Sequence, residues 1–289
     1  MKFSDNRLTS VFPYFQLQLG ALYPREEIRK QAKMAIEHLF GYDSIFIAAH
    51  PDTRLTESEM LQVVYLMKEL KTGMPIQYVI GKAHFMDLEL KVNEHTLIPR
   101  PETEELVSWI VNDFITGSSP VILDIGTGSG CIALALKKLI PDANVSGCDI
   151  SSNALSVASQ NADTHDLEIQ FIEDDILNPV LIKTVDPVDI LVSNPPYVTN
   201  AESSALHTNV REFEPHQALF VPSDDGLLFY RHIISFAKEK LNPGGRLYLE
   251  INEKFGKEII KLLEKEGFSE VELRKDLSKK DRMIRARYL

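Results

Sequence analysis

Apolar runs and amphipathic stretches alternate along the C-terminal part of the chain, and the alternation predicts strands and helices in turn. Short, nearly continuous apolar runs lie at "VILDI" (121–125), "NVSGCDI" (144–150), "EIQFIE" (168–173), "DILVSN" (189–194) and "RLYLEI" (246–251). Helical periodicity falls between or after them at 130–139, 152–162, 227–241 and 255–266. Strands with few polar positions, separated by helices, belong to a mostly parallel sheet covered on both faces. Two later runs, "SEVELRK" and "MIRARYL", are close in sequence and suit an antiparallel edge.

The period differs upstream. "PREEIRKQAKMAIEHLF" opens with Pro24, carries acids in its first turn and places Ile28, Ala32, Ala35, Ile36 and Leu39 on one face. "TESEMLQVVYLMKELKTG" repeats the plan, with a capping-box pattern from Thr56 to Glu59 and Gly73 at its end. Both are amphipathic helices without chemical residues. Alternation of period two in "HFMDLELKV" predicts a hairpin. The expected organisation is therefore a helical domain over 1–73, a hairpin linker over 74–101 and an α/β domain over 102–289.

Composition narrows the function classes. The longest apolar runs reach about half a dozen residues, against the roughly 20 of a membrane helix. The start, "MKFSDNRLTSVF", lacks the apolar core of a signal peptide, so a cytoplasmic protein is expected. Two cysteines, Cys131 and Cys148, are too few and too far apart for a disulfide framework or a CxxC pair. None of the eight histidines pairs closely with cysteine or acid at metal-ligand spacing, and no metal is expected. Residues 1–93 hold 11 basic and 11 acidic side chains, leaving 20 against 31 in the remainder, so the whole net charge of −11 is C-terminal. Such an acidic domain gains little from the counterion release that drives nucleic-acid binding, and neither nucleic acid nor membrane is expected as a partner.

Two turns carry the candidate chemistry. In "VILDIGTGSGCIALAL" a strand ending in Asp124 and Ile125 is followed by Gly126, Thr127, Gly128, Ser129 and Gly130, then an apolar helix. Glycines let the turn bend tightly and let a ligand approach the backbone near the free N–H groups of a helix start. A dinucleotide fingerprint requires glycine at 131, where Cys131 stands. The spacing resembles the first motif of S-adenosylmethionine-dependent methyltransferases. Asp149, at the end of the second strand, is placed to accept hydrogen bonds from both ribose hydroxyls. Asp175 and Ile176, in "EDDIL", would bond and cover the adenine.

The second turn is "VSNPPYV". Pro195 and Pro196 lack N–H groups and have fixed φ, so the strand stops there in one shape. Conjugated amines, whether carboxamides or nucleobase amino groups, are poor nucleophiles and need orientation. The Asn194 side-chain oxygen and the Pro195 carbonyl can accept both N–H protons of such a group, with Tyr197 as an aromatic wall. The methyl-sulfonium carbon is already electrophilic, so no strong general base is required.

With "PIQYVIGKAHFMDLELKV", "LIPRPETEELV" and "EPHQALFVPSDDGLLFYRHII", these turns make the chain resemble bacterial peptide chain release factor glutamine methyltransferases from about residue 75 onward. The resemblance implies a Rossmann-like methyltransferase fold with a mostly parallel seven-stranded sheet, plus a small N-terminal helical domain that docks the protein substrate. It implies methyl transfer from S-adenosylmethionine to the glutamine of the Gly-Gly-Gln motif in class 1 release factors. Residues Gly126 to Gly130 and Asp149 would bind cofactor, Asn194 would touch cofactor and substrate, and Pro195, Pro196, Tyr197 and Leu97 would form the glutamine pocket. The sister activity on a ribosomal-protein glutamine, and an adenine or guanine amino methyltransferase, are the alternatives. Asn252 stands where many relatives have glycine, and "DLSKKDRMI" lacks a glycine often found before Asp281 and Arg282.

Overall fold

The computed structural model describes Phe3, residues 5–113 and residues 119–289. The chain forms two compact units, Met1–Gly81 with Thr208–Phe213, and Lys82–His207 with Glu214–Leu289. The first carries helices α1 (Val11–Leu19), α2 (Arg25–Phe40), α3 (Ser44–Ala49), α4 (Glu57–Leu70) and α5 (Ile76–Ile80). Local signals set their ends. The α4 capping box is formed: Thr56 Oγ1 accepts from the Glu59 N–H at 3.2 Å, and the Glu59 carboxylate accepts from the Thr56 N–H at 2.7 Å. Helix α2 ends at Gly41 with φ of 70°, a left-handed cap that glycine adopts without strain. The apolar stripes of α1, α2 and α4 meet in one core holding Phe15, Ile28, Ala32, Ile36, Val63 and Met67.

The second unit begins with an antiparallel hairpin, β1 (Lys82–Phe85) and β2 (Leu88–Lys91). Its Phe85, Leu88 and Leu90 are buried, and the Asn161 amide exchanges two hydrogen bonds with the Lys91 backbone at 2.7 and 3.0 Å, which covers the open edge of β2. The remaining strands are β3 (Val121–Ile125), β4 (Asn144–Asp149), β5 (Gln170–Glu173), β6 (Val188–Ser193), β7 (Leu241–Glu250), β8 (Phe268–Lys275) and β9 (Asp281–Tyr288). They form one seven-stranded sheet in the order β5-β4-β3-β6-β7-β9-β8. Pairings from β5 through β7 are parallel, and β9 pairs antiparallel with both β7 and β8. The helices are α6 (Pro101–Asp113), α7 (Cys131–Leu139), α8 (Ser152–Thr164), α9 (Thr208–Phe213), α10 (His216–Leu219), α11 (Leu228–Lys240) and α12 (Gly256–Lys265), of which α9 groups with the helical unit.

Alternate residues of the central strands enter two separate cores. Leu123, Ile125, Leu191, Leu247 and Leu249 pack with α11 and α12 residues such as Ile233 and Ile259. Ile122, Ile190, Val192 and Tyr248 pack with Leu106 and Trp109 of α6 and Leu134 of α7. Both faces are covered, which is why these strands read as continuous apolar runs.

Candidate active site

The two candidate turns are brought together by strand pairing. β3 and β6 are parallel neighbours with Ile125 opposite Ser193, so the glycine turn and the Asn-Pro-Pro-Tyr turn leave the same edge of the sheet side by side. The Ser193 hydroxyl donates to the Ile125 carbonyl at 2.7 Å and locks the two ends together. The order runs one way from β3 through β4 and the other way from β6, making this the switch point where open α/β sheets bind ligands. A cleft of about 680 Å³ opens there, with Gly126, Gly128, Asp149, Ile176, Asn194 and Leu97 among its walls.

On one side of the cleft the backbone is bent for close approach. Gly126, Gly128 and Gly130 have φ of 74°, 57° and 82°. The first two open to the cleft, while Gly130 packs inward, where an added Cβ would lie 2.5 Å from Leu134 Cδ1. The N–H groups of Gly126 and Thr127 donate to the Cys148 carbonyl at 2.8 and 2.9 Å, tying the turn to the end of β4. Thr127 and Ser129 are buried: the Thr127 hydroxyl donates to Asp124 at 2.6 Å, and the Ser129 backbone carbonyl accepts from Asn161 at 2.9 Å. Burial pushes the Asp124 carboxyl up to about 7.

Asp149 sits at the cleft wall with each carboxylate oxygen accepting one backbone N–H, from Gly128 and from Ser151, both at 2.9 Å. An ionised carboxylate has about four acceptor sites, so acceptor capacity remains for a ligand hydroxyl. Burial raises the Asp149 pKa against the lowering effect of those N–H groups. Asp175 caps its own turn by accepting from the Leu177 N–H at 2.9 Å, and Ile176 offers the adjoining apolar surface. Burial pushes both Cys131 and Cys148 up to about 12, so each is a thiol rather than a thiolate.

Asn194, Pro195 and Pro196 form the opposite wall. The chain beyond them is pinned to the "EPHQAL" segment: the Val198 N–H donates to the Leu219 carbonyl and the Val221 N–H to the Val198 carbonyl, both at 3.0 Å. Leu97 is held by its neighbours. The buried Glu214 carboxylate accepts from Arg100 at 2.6 Å and from the Ile98 N–H at 3.3 Å. Tyr197 lies behind the turn, its hydroxyl donating to Glu250 at 3.3 Å. Thr103, in the first turn of α6, receives a hydrogen bond from Asn194 Nδ2 at 3.2 Å and donates to Glu250 at 2.6 Å.

Thr103, Glu250 and Glu214 are absent from the sequence-based candidates. A glutamate inside "RLYLEI", an otherwise apolar run, was the available signal for Glu250.

Two family models match the chain. One for a methyltransferase small domain matches residues 103–213, and one for a PrmC N-terminal domain matches residues 15–81. A release factor glutamine methyltransferase of Flavobacterium psychrophilum is 43% identical over 277 residues, covering 95% of this chain and 96% of that one. Another, from Bacteroides thetaiotaomicron, is 39% identical and covers 97% and 99%. A solved methyltransferase from Pyrococcus furiosus shares the fold with a TM-score of 0.51 at 18% identity, covering 80% of this chain and 98% of that one.

Proposed function

The chain belongs to the release factor glutamine methyltransferase family, and we propose that it methylates the glutamine amide nitrogen of the Gly-Gly-Gln motif in class 1 release factors through an amide clamp. The clamp consists of the Asn194 side-chain oxygen and the Pro195 carbonyl. The observation that carries the reading is the juxtaposition, across one cleft, of a carbonyl-rich turn with a glycine turn and a ligand-ready carboxylate.

The residues present fit S-adenosylmethionine. Gly126 and Gly128 leave room where a side chain would stand, Asp149 offers a carboxylate at the cleft wall, and Ile176 with Ile150 and Ala154 gives an apolar surface for a base. When bound, the cofactor would supply an electrophilic methyl carbon carried on a sulfonium sulfur. The protein contributes position and electrostatics. Two carbonyl oxygens accept the two amide N–H protons, draw density toward nitrogen and hold its lone pair in line with that carbon. No cleft group is required to abstract a proton before the bond forms, and the methylated nitrogen then releases one N–H proton to water. Tyr197 supports the turn from behind through Glu250.

The helical unit, with exposed Ile45, Leu61 and Tyr65 on α3 and α4, serves in this reading as a dock for the protein substrate. Among the described residues no helix is long and apolar enough to cross a membrane. The experiment is Asn194→Ala, assayed for methyl transfer and, by calorimetry, for cofactor affinity. Loss of transfer with the fold intact is expected, because the prolines set the turn. Near-normal transfer would refute the clamp.

A further inference from the structure

We propose that Thr103 and Glu250 are positioning residues whose hydrogen-bond polarity fixes which way round the Asn194 amide stands. This rests on the amide clamp described above. The two ends of an asparagine amide are nearly the same size, and only their partners distinguish them. The distinction decides the chemistry. An acceptor carboxamide brings two N–H donors, so an Asn194 flipped to present its own NH2 would meet donor with donor.

Three bonds set the orientation. Asn194 Nδ2 donates to Thr103 Oγ1 at 3.2 Å. A threonine hydroxyl both donates and accepts, so it cannot enforce a direction alone. Its proton, however, goes to Glu250 Oε2 at 2.6 Å, the short distance of a charge-assisted bond. An ionised carboxylate only accepts. It therefore turns the Thr103 lone pair toward Asn194, draws the NH2 to that side and leaves the side-chain oxygen for the cleft. The other Glu250 oxygen accepts from the Tyr197 hydroxyl at 3.3 Å, so one acid braces both ends of the turn.

Glu250 is almost wholly buried, 1% exposed, at the end of β7, the strand beside β6. A buried carboxylate is costly unless its partners repay the desolvation. The groups facing it are Thr103 and Glu102 from α6, Tyr197 after β6, Tyr230 of α11 and Arg282 of β9. Burial pushes the Glu250 carboxyl up to about 7, with Glu102 adding to the rise and Thr103, Arg282 and Tyr197 opposing it. Both tyrosines are raised above their ordinary range by burial, and Arg282 stays charged. Once protonated, Glu250 can donate to Thr103, whose own proton then turns toward Asn194 and favours the flipped amide.

The test compares Thr103→Val, Thr103→Ser, Glu250→Gln and Asn194→Ala with the unmodified enzyme on a purified release factor. Calorimetry measures S-adenosylmethionine affinity in parallel. Thr103→Val is expected to lower kcat about tenfold, the worth of one directional hydrogen bond, with cofactor affinity within about twofold, and Thr103→Ser to restore kcat. The unmodified enzyme should lose kcat as pH falls through about 7, and Glu250→Gln should flatten that limb. Persistence of the limb in Glu250→Gln would assign it to another group, such as Asp124, and overturn the relay. Normal kcat in Thr103→Val beside an inactive Asn194→Ala would overturn the relay and leave the clamp standing. An active Asn194→Ala would remove both. Parallel loss of kcat and cofactor affinity in Thr103→Val, unrescued by serine, would show a merely structural role and overturn the proposal.

Discussion

Replacing Glu250 by glutamine should make the protein more stable at neutral pH, by an amount that depends on pH in a defined way. The carboxyl stands at about 7 in the fold against an ordinary value of 4.5. That gap of roughly 2.5 units corresponds to about 3 kcal/mol at 1.36 kcal/mol per unit. Because the folded value is the higher one, the native state binds more protons than the unfolded chain between about pH 4.5 and 7. Stability from this group is fully present below 4.5 and is lost as pH rises through about 7. Glutamine keeps the shape and never ionises. The difference in unfolding free energy, variant minus unmodified, should therefore grow by about 3 kcal/mol between pH 4.5 and 7 and level off above. Urea unfolding of the ligand-free enzyme at several pH values measures it. The single tryptophan, Trp109, is buried in α6 and packs edge-on to Tyr248 at 5.8 Å, so its fluorescence follows the catalytic unit. Comparison with the unmodified chain cancels the similar titration of Asp124. A difference that stays constant with pH, or reverses sign, would refute the assignment of a strained buried carboxylate. Stability gained together with kcat lost is the trade expected of a residue kept for function.

One further substitution probes the cofactor side, and a pair of glycine variants tests left-handed positions. Asp149→Ala removes an acceptor that each ribose hydroxyl would use, and calorimetry should show S-adenosylmethionine affinity reduced about ten- to a hundredfold, the worth of a charge-assisted hydrogen bond, with the KM for release factor little changed; equal weakening of both would count against a ribose role. Gly130→Ala places a Cβ 2.5 Å from Leu134 Cδ1 and 3.2 Å from Ala158 Cβ at φ of 82°, and should cost about 2–4 kcal/mol from left-handed strain plus displaced packing. Gly41→Ala, at φ of 70° with nothing within 4 Å of the added Cβ, should cost only about 1–2 kcal/mol. Scanning calorimetry of both variants checks the order.

Much of this architecture was legible because its physics is local. Strands buried on both faces must be apolar throughout, so "VILDI" and "DILVSN" stood out, and their observed bounds, Val121–Ile125 and Val188–Ser193, match within a residue. The position of β9 between β7 and β8 was not legible, since neighbour order in a sheet depends on packing between distant segments. The glycine turn was legible as a turn, but its spacing says nothing of where the intervening side chains point. Thr127 faces the interior because Asp124 accepts its hydroxyl proton there, and Ser129 is buried beside it with its backbone carbonyl accepting from Asn161. Tyr197, expected as a wall of the pocket, has its hydroxyl on Glu250, as a half-buried phenol requires a partner that only the tertiary structure reveals. Thr103 sat within "LIPRPETEELV", where the helix start accounted for its neighbours and concealed its role.

Methyl transfer to the Gly-Gly-Gln glutamine is read out by incubating the enzyme with S-adenosylmethionine labelled in the methyl group. The acceptors are purified class 1 release factor, the same factor with the Gly-Gly-Gln glutamine replaced, ribosomal proteins and unmethylated DNA. Label is expected on the intact release factor alone, lost when that glutamine is replaced. Label on ribosomal protein or DNA, or label that survives the replacement, would contradict that assignment.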